Sequence, residues 1–257
     1  MKNILPVVAF VIVLLSCAGN TATTPEQVAT PVYIQSDTLE WFDSSRNRKI
    51  PIAVFSAAVN EKNAGLPVII FSHGYGQNKG GDNFAYSYLT DYLSQSGYFV
   101  VSIQHELPTD DLLPMEGDPR IVRRSNWERG AENILFVLNE LKKTYPDLNY
   151  NNVSLVGHSN GGDMSVLFAH QHPELINKLI TMDHRRMPLP RIKTPKIYTL
   201  RSNDFPADEG VLPSEEENKS LGITIQLVPV SHNTMDDDGT EEERTIMRKY
   251  ILEYLKD

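Results

Sequence analysis

The sequence predicts an α/β domain whose mainly parallel sheet is covered by helices on both faces. Two observations carry this. A β-hairpin pattern opens the chain's folded part, and short apolar runs then alternate with stretches of helical spacing. A third observation sets the scale: 257 residues, about 40% of them apolar, suffice for one large core.

Taken in order, residues 32–42, a turn over 43–47 and residues 49–55 read as the hairpin. VIIFS at 68–72 is an apolar run of the kind buried on both faces of a sheet. Residues 83–96 have helical spacing and stop at Gly97, and 98–103 (YFVVSI) read as a strand. Residues 127–143 form an amphipathic helix with Ile134, Leu135, Leu138 and Leu141 on one side. A strand at 153–156 and a helix reaching 170 follow, then strands at 178–182, 196–200 and 223–228, and a closing helix at 241–255. The connection 105–124, with Pro108, Pro114 and Pro119, is long enough to suggest a functional loop.

The first 31 residues stand apart from this domain, which spans 32–257. Lys2 followed by the apolar stretch Ile4–Leu15 is too short to span a bilayer core of about 30 Å, and reads as a secretory signal over 1–16. Leu14-Leu15-Ser16-Cys17 resembles the lipobox of bacterial lipoproteins, which implies lipidation of Cys17 and a location in the cell envelope. Ala18 in place of an acidic residue points to the outer membrane. Residues 17–31 then form a flexible tether. Cys17 is the chain's one cysteine, so the domain itself carries no disulfide framework, thiolate metal site or cysteine nucleophile. The net charge of −9 argues against nucleic acid as a partner.

The chemistry is concentrated in Gly157-His158-Ser159-Asn160-Gly161-Gly162, a G-x-S-x-G match between a strand and a helix. Flanking glycines permit the sharp turn that lifts a serine hydroxyl above the strand ends. A serine needs a base to remove its proton, and His232, after the last strand and before the last helix, holds the expected place. The acid should follow the strand at 196–200. Asp204 is the first choice, with Asp208 in the same loop and Asp183 after the preceding strand as alternatives. Oxyanion donors are expected from the backbone amides of Tyr75, in His73-Gly74-Tyr75-Gly76, and of Asn160.

Together these residues resemble the α/β-hydrolase family over essentially all of 32–257. The resemblance implies a mostly parallel eight-stranded sheet and cofactor-free cleavage of esters, amides or thioesters. Only about a dozen residues, 184–195, stand where many members insert a lid, so an open site without a large lid domain is expected, with 105–124 as one wall. The substrate expectation is a small or polymer-borne carboxylic ester. A peptidase or amidase, and a non-catalytic ligand-binding lipoprotein, remain as alternatives. Arg120, Arg123, Arg124, Arg185, Arg186, Arg191 and Arg201 lie near the long loop or the acid candidates, and would either bind a substrate carboxylate or pair with nearby acids. Asp236-Asp237-Asp238 lacks the ligand spacing of a calcium loop, and no metal is expected.

Overall fold

A computed structural model describes residues 34–57 and 63–257. The signal segment, Cys17 and the tether lie outside the described residues.

β1 (Ile34–Asp43) and β2 (Arg48–Ala57) form the opening antiparallel hairpin. Its turn closes on Asp43, whose carboxylate accepts the Ser45 N–H at 3.0 Å, and Asn47 takes the left-handed conformation that asparagine tolerates. β3 (Pro67–Ser72), β4 (Phe99–Ile103), β5 (Asn149–His158), β6 (Lys178–Met182), β7 (Lys196–Arg201) and β8 (Thr224–Leu227) complete one eight-stranded sheet in the order β1-β2-β4-β3-β5-β6-β7-β8. β2 runs antiparallel to β4, and every pairing from β4 to β8 is parallel.

Side chains alternate across a strand, so each central strand feeds two cores. Ile52, Val54, Val68 and Ile70 pack on one face beneath α3 (Arg124–Thr144) and α4 (Ser159–Gln171). Ala53, Phe55, Ile69 and Phe71 pack on the other beneath α1 (Ser87–Gln95) and α6 (Glu241–Lys256). Burial on both faces is why these strands read as continuous apolar runs.

Two helices were not expected from the sequence. α2 (Pro119–Val122) is a single turn capped by Asp118 at the end of the long connection. α5 (Glu215–Leu221) carries a complete capping box, Ser214 with Glu217, and ends on Gly222 at φ 71. Ser-x-x-Glu followed by a glycine stop was the available signal, but the segment has no apolar face to give it a period. Between β6 and β7 the chain forms no helix, so no lid covers the sheet's carboxyl edge there.

Asp237 acts on a neighbouring helix rather than its own. Its two carboxylate oxygens accept the Ser87 and Tyr88 N–H groups at 2.9 and 3.0 Å, satisfying unpaired donors at the start of α1.

Candidate active site

The site is set by strand register. His158 at the end of β5 pairs with Met182 at the end of β6, and Met182 pairs with Leu200 on β7. Ser159, Asp183 and Arg201 therefore stand side by side at one level of the sheet. Ser159 and Asp183 both adopt positive φ, 49° and 56°, a strained backbone for residues with a Cβ. At Ser159 the strain belongs to the strand-to-helix elbow. A Cβ on Gly161 would sit 2.3 Å from the His73 carbonyl oxygen, which is why glycine is required there.

Ser159 Oγ lies 3.1 Å from His232 Nε2, and His232 Nδ1 lies 2.6 Å from Asp183 Oδ2. With Nδ1 donating to the carboxylate, Nε2 is left as the acceptor for the serine proton. The three residues are far apart in sequence, Ser159 and His232 by 73 positions, and only the sheet unites them.

The aspartate facing the imidazole is Asp183, and this corrects the sequence's first choice. Asp204 instead accepts the backbone N–H of His232 at 2.9 Å, and that bond holds its carboxyl below the usual range. Its loop begins beyond β7, three residues past the level of Ser159, so its carboxylate reaches the main chain of His232 and not the ring. Asp208 pairs with Arg186.

Asp183 is fully buried, which by itself would raise its pKa. Hydrogen bonds from His232 and Ser202, with the Arg201 guanidinium 2.8 Å from Oδ1, outweigh burial and hold it below the usual carboxylate range. Arg201 is itself buried and is pinned to the His184 carbonyl.

The imidazole of His232 meets two other rings. Phe205 stacks on it at 4.5 Å and 11°, and the His158 ring lies tilted beside it at 4.8 Å and 43°. His158 accepts at Nδ1 from Tyr86 Oη at 2.7 Å, and Tyr86 Oη accepts the Gly74 N–H at 3.0 Å. Burial, more than the neighbouring His232, pushes the His158 pKa down to about 3, so this ring stays neutral beside the base.

Tyr75 borders both cavities that meet at Ser159, and Asn160 borders one of them. Asn160 is the second residue of α4, where helical N–H groups have no intrahelical acceptor. Its side chain is fixed by a buried network that sequence reasoning missed. The amide donates to Glu106 Oε1 at 3.0 Å and Asn126 Oδ1 at 2.9 Å, and accepts Trp127 Nε1–H at 2.9 Å. Glu106 gave no signal, because a glutamate opening a loop looks like any solvated residue.

The two cavities measure about 300 and 190 Å³. Asp82, Tyr86 and Asp236 border the first; Leu113, Met115 and Arg123, from the long connection and the residue joining α2 to α3, border the second with Arg185 and Arg186. The connection thus supplies the expected wall. A larger recess of about 710 Å³ near Arg46, Arg48 and Glu132 does not include Ser159 or His232. No group of three or more metal-ligating side chains occurs among the described residues.

Solved structures share this architecture. The chain is similar to a protein from Klebsiella pneumoniae assigned as a dienelactone hydrolase, with a TM-score of 0.64 and 11% identity over 88% of this chain and 99% of that one. It has the α/β-hydrolase fold. An esterase of Rhizomucor miehei aligns with a TM-score of 0.60 and 13% identity over 90% of this chain and 84% of its own. The acylaminoacyl peptidase of Pyrococcus horikoshii aligns at 0.62 and 14% over 88% of this chain but only 42% of its own. No family model and no curated protein sequence matches the chain. Among α/β-hydrolase-fold topologies the order Ser159, Asp183, His232 places the acid after β6, one strand earlier than the sequence's first choice.

Proposed function

We propose that this chain is a serine hydrolase that cleaves carboxylic esters through an acyl-enzyme. The observation that carries the reading is the continuous hydrogen-bonded series from Ser159 Oγ through His232 to Asp183 Oδ2, built on a strained elbow. His232 Nε2 takes the serine proton as Oγ attacks the carbonyl carbon. The Tyr75 and Asn160 amides receive the oxyanion, and Asp183 holds the imidazolium. The proton then passes to the leaving alcohol, and water releases the acid by the same steps.

Labelling with a fluorophosphonate tests this. The wild type should react at Ser159, and Ser159→Ala and His232→Ala should not. An unlabelled, folded wild type would return the chain to the ligand-binding reading. Turnover of a peptide p-nitroanilide without turnover of short acyl esters would move it to the amidases. Because no lid lies between β6 and β7, the rate should rise smoothly as an ester passes its solubility limit; a sharp jump at that limit would contradict an open site. We further propose that Cys17 carries the lipid that anchors the domain, and Cys17→Ala should release it from the membrane fraction.

A further inference from the structure

Seven arginines surround the candidate acids and the long connection, and the structure divides them. Arg120, Arg124, Arg186, Arg191 and Arg201 each pair with a carboxylate: Asp118, Glu128, Asp208, Glu217 and Asp183. Arg123 and Arg185 form no ion pair among the described residues, although the chain has 33 acidic residues to offer.

Both are instead fixed by neutral groups. Arg123 Nε donates to the Pro114 carbonyl at 2.9 Å, and its Nη2 lies 3.5 Å from Met115 Sδ. Arg185 Nε donates to the Pro206 carbonyl at 3.1 Å, and its guanidinium lies 4.4 Å from the centre of the Phe205 ring, the same ring that stacks on His232. Arg185, held through Nε, still presents its Nη edge, the edge that grips a carboxylate by two parallel bonds, and Arg123, whose Nη2 also meets Met115 Sδ, still presents Nη1.

Both arginines border the cavity of about 190 Å³ that also contains Ser159 and His232. Arg186 joins them there, and the one carboxylate on that wall, Asp163, is already used. Its Oδ1 accepts the Arg186 and Met187 N–H groups at 2.9 Å each. Burial, followed by the proximity of Arg186, lowers the pKa of both Arg123 and Arg185, so an arriving anion would relieve repulsion as well as form hydrogen bonds.

We infer that Arg123 and Arg185 form an anion subsite beside the nucleophile, and that the favoured substrates are short esters carrying a carboxylate a few bonds from the scissile carbonyl. The assignment rests on the serine-hydrolase reading. The cavity limits the charged arm to a handful of non-hydrogen atoms, at about 30 Å³ for each water-sized group.

Two matched ester pairs test it. p-Nitrophenyl hemisuccinate against p-nitrophenyl butyrate places the charge on the acyl side. The butyryl ester of 4-hydroxybenzoate against phenyl butyrate places it on the alcohol side. In the wild type, the anionic member of one pair should have a kcat/KM about tenfold or more above its neutral partner. Arg123→Gln and Arg185→Gln should each lower that ratio by about tenfold, mainly through KM, within the range of one charge-assisted hydrogen bond. The ratio does not depend on the folded fraction of a variant, so partial misfolding leaves it readable.

Cleavage of the neutral esters with no anionic preference in either pair overturns the subsite and leaves the hydrolase reading intact. So does a preference that both substitutions leave unchanged. Failure to cleave any of the four esters, together with absent fluorophosphonate labelling, overturns both.

Discussion

The loops after β6 and β7 each send an aspartate to His232, and they touch different atoms of it. Asp183 is fully buried on left-handed backbone, and its oxygens are shared among the His232 ring, Ser202 and Arg201. Asp204 faces solvent and accepts the His232 main-chain N–H. In the proposed mechanism charge develops on the ring, not on the main chain. A carboxylate on Nδ1 therefore stabilises the transition state, whereas one on the backbone N–H only places the loop.

The sharpest way to break this comparison is to neutralise each aspartate in turn. Asp183→Asn should reduce kcat by roughly ten-thousand-fold, because an amide cannot stabilise the imidazolium or fix its tautomer. Asp204→Asn should reduce it by less than about tenfold, the scale of one positioning hydrogen bond. Equal losses in the two variants would show that the loops share the acid's work.

A second expected effect falls on stability. Arg201→Gln leaves Asp183 buried without its cation, and should cost about 3 kcal/mol or more in urea unfolding. The corresponding loss for Asp204→Asn should stay near 1 kcal/mol. A tolerated Arg201→Gln would mean that the hydrogen bonds from His232 and Ser202 suffice to keep Asp183 charged.

A third expected effect is a slope in pH. Burial holds His158 and His184 down to about 3, and His105 well below its ordinary value. Near pH 5 the unfolded chain binds protons on these rings and the folded chain does not. Stability should therefore rise with pH up to about 6.5, a rise that begins near pH 3 for His158 and His184. Asp183, depressed in the fold, adds stability above its unfolded pKa near 3.9 and loses it as pH falls through its lower folded value. Asp163, pushed up to about 6 by burial, opposes these groups, since its penalty grows as pH rises from about 4 to 6. Urea midpoints at pH 5 and 7 measure the net slope, and equal midpoints would show that the buried rings take up protons in the fold.

Much of this was legible because it is local. The elbow needs its glycines and serine within six residues, and the last histidine sits between two strongly patterned elements. All eight strands were legible, the central ones because burial on both faces writes itself as apolar runs and the first two because they flank a turn. The acid was not legible, because the choice between Asp183 and Asp204 depends on which carboxylate reaches a ring nitrogen. The register of β5 with β6 decides that, and register is a property of the assembled sheet. Asp183 directly ends LITM as Ser159 directly ends LVGH, a parallel that becomes informative only once the two strands are known to be neighbours. The Glu106 network and the Phe205 stack were hidden for the same reason: each consists of ordinary residues made unusual by their neighbours.

The order of the triad along the chain has a consequence during synthesis. Nucleophile and acid leave adjacent strands, β5 and β6, and can be brought level as soon as those two strands pair. The base arrives only after β8. Until that last segment has been synthesised the chain contains no His232, so the serine has no proton acceptor. On the hydrolase reading, the unfinished chain is therefore inactive, and the docking of its final segment is the step that arms it.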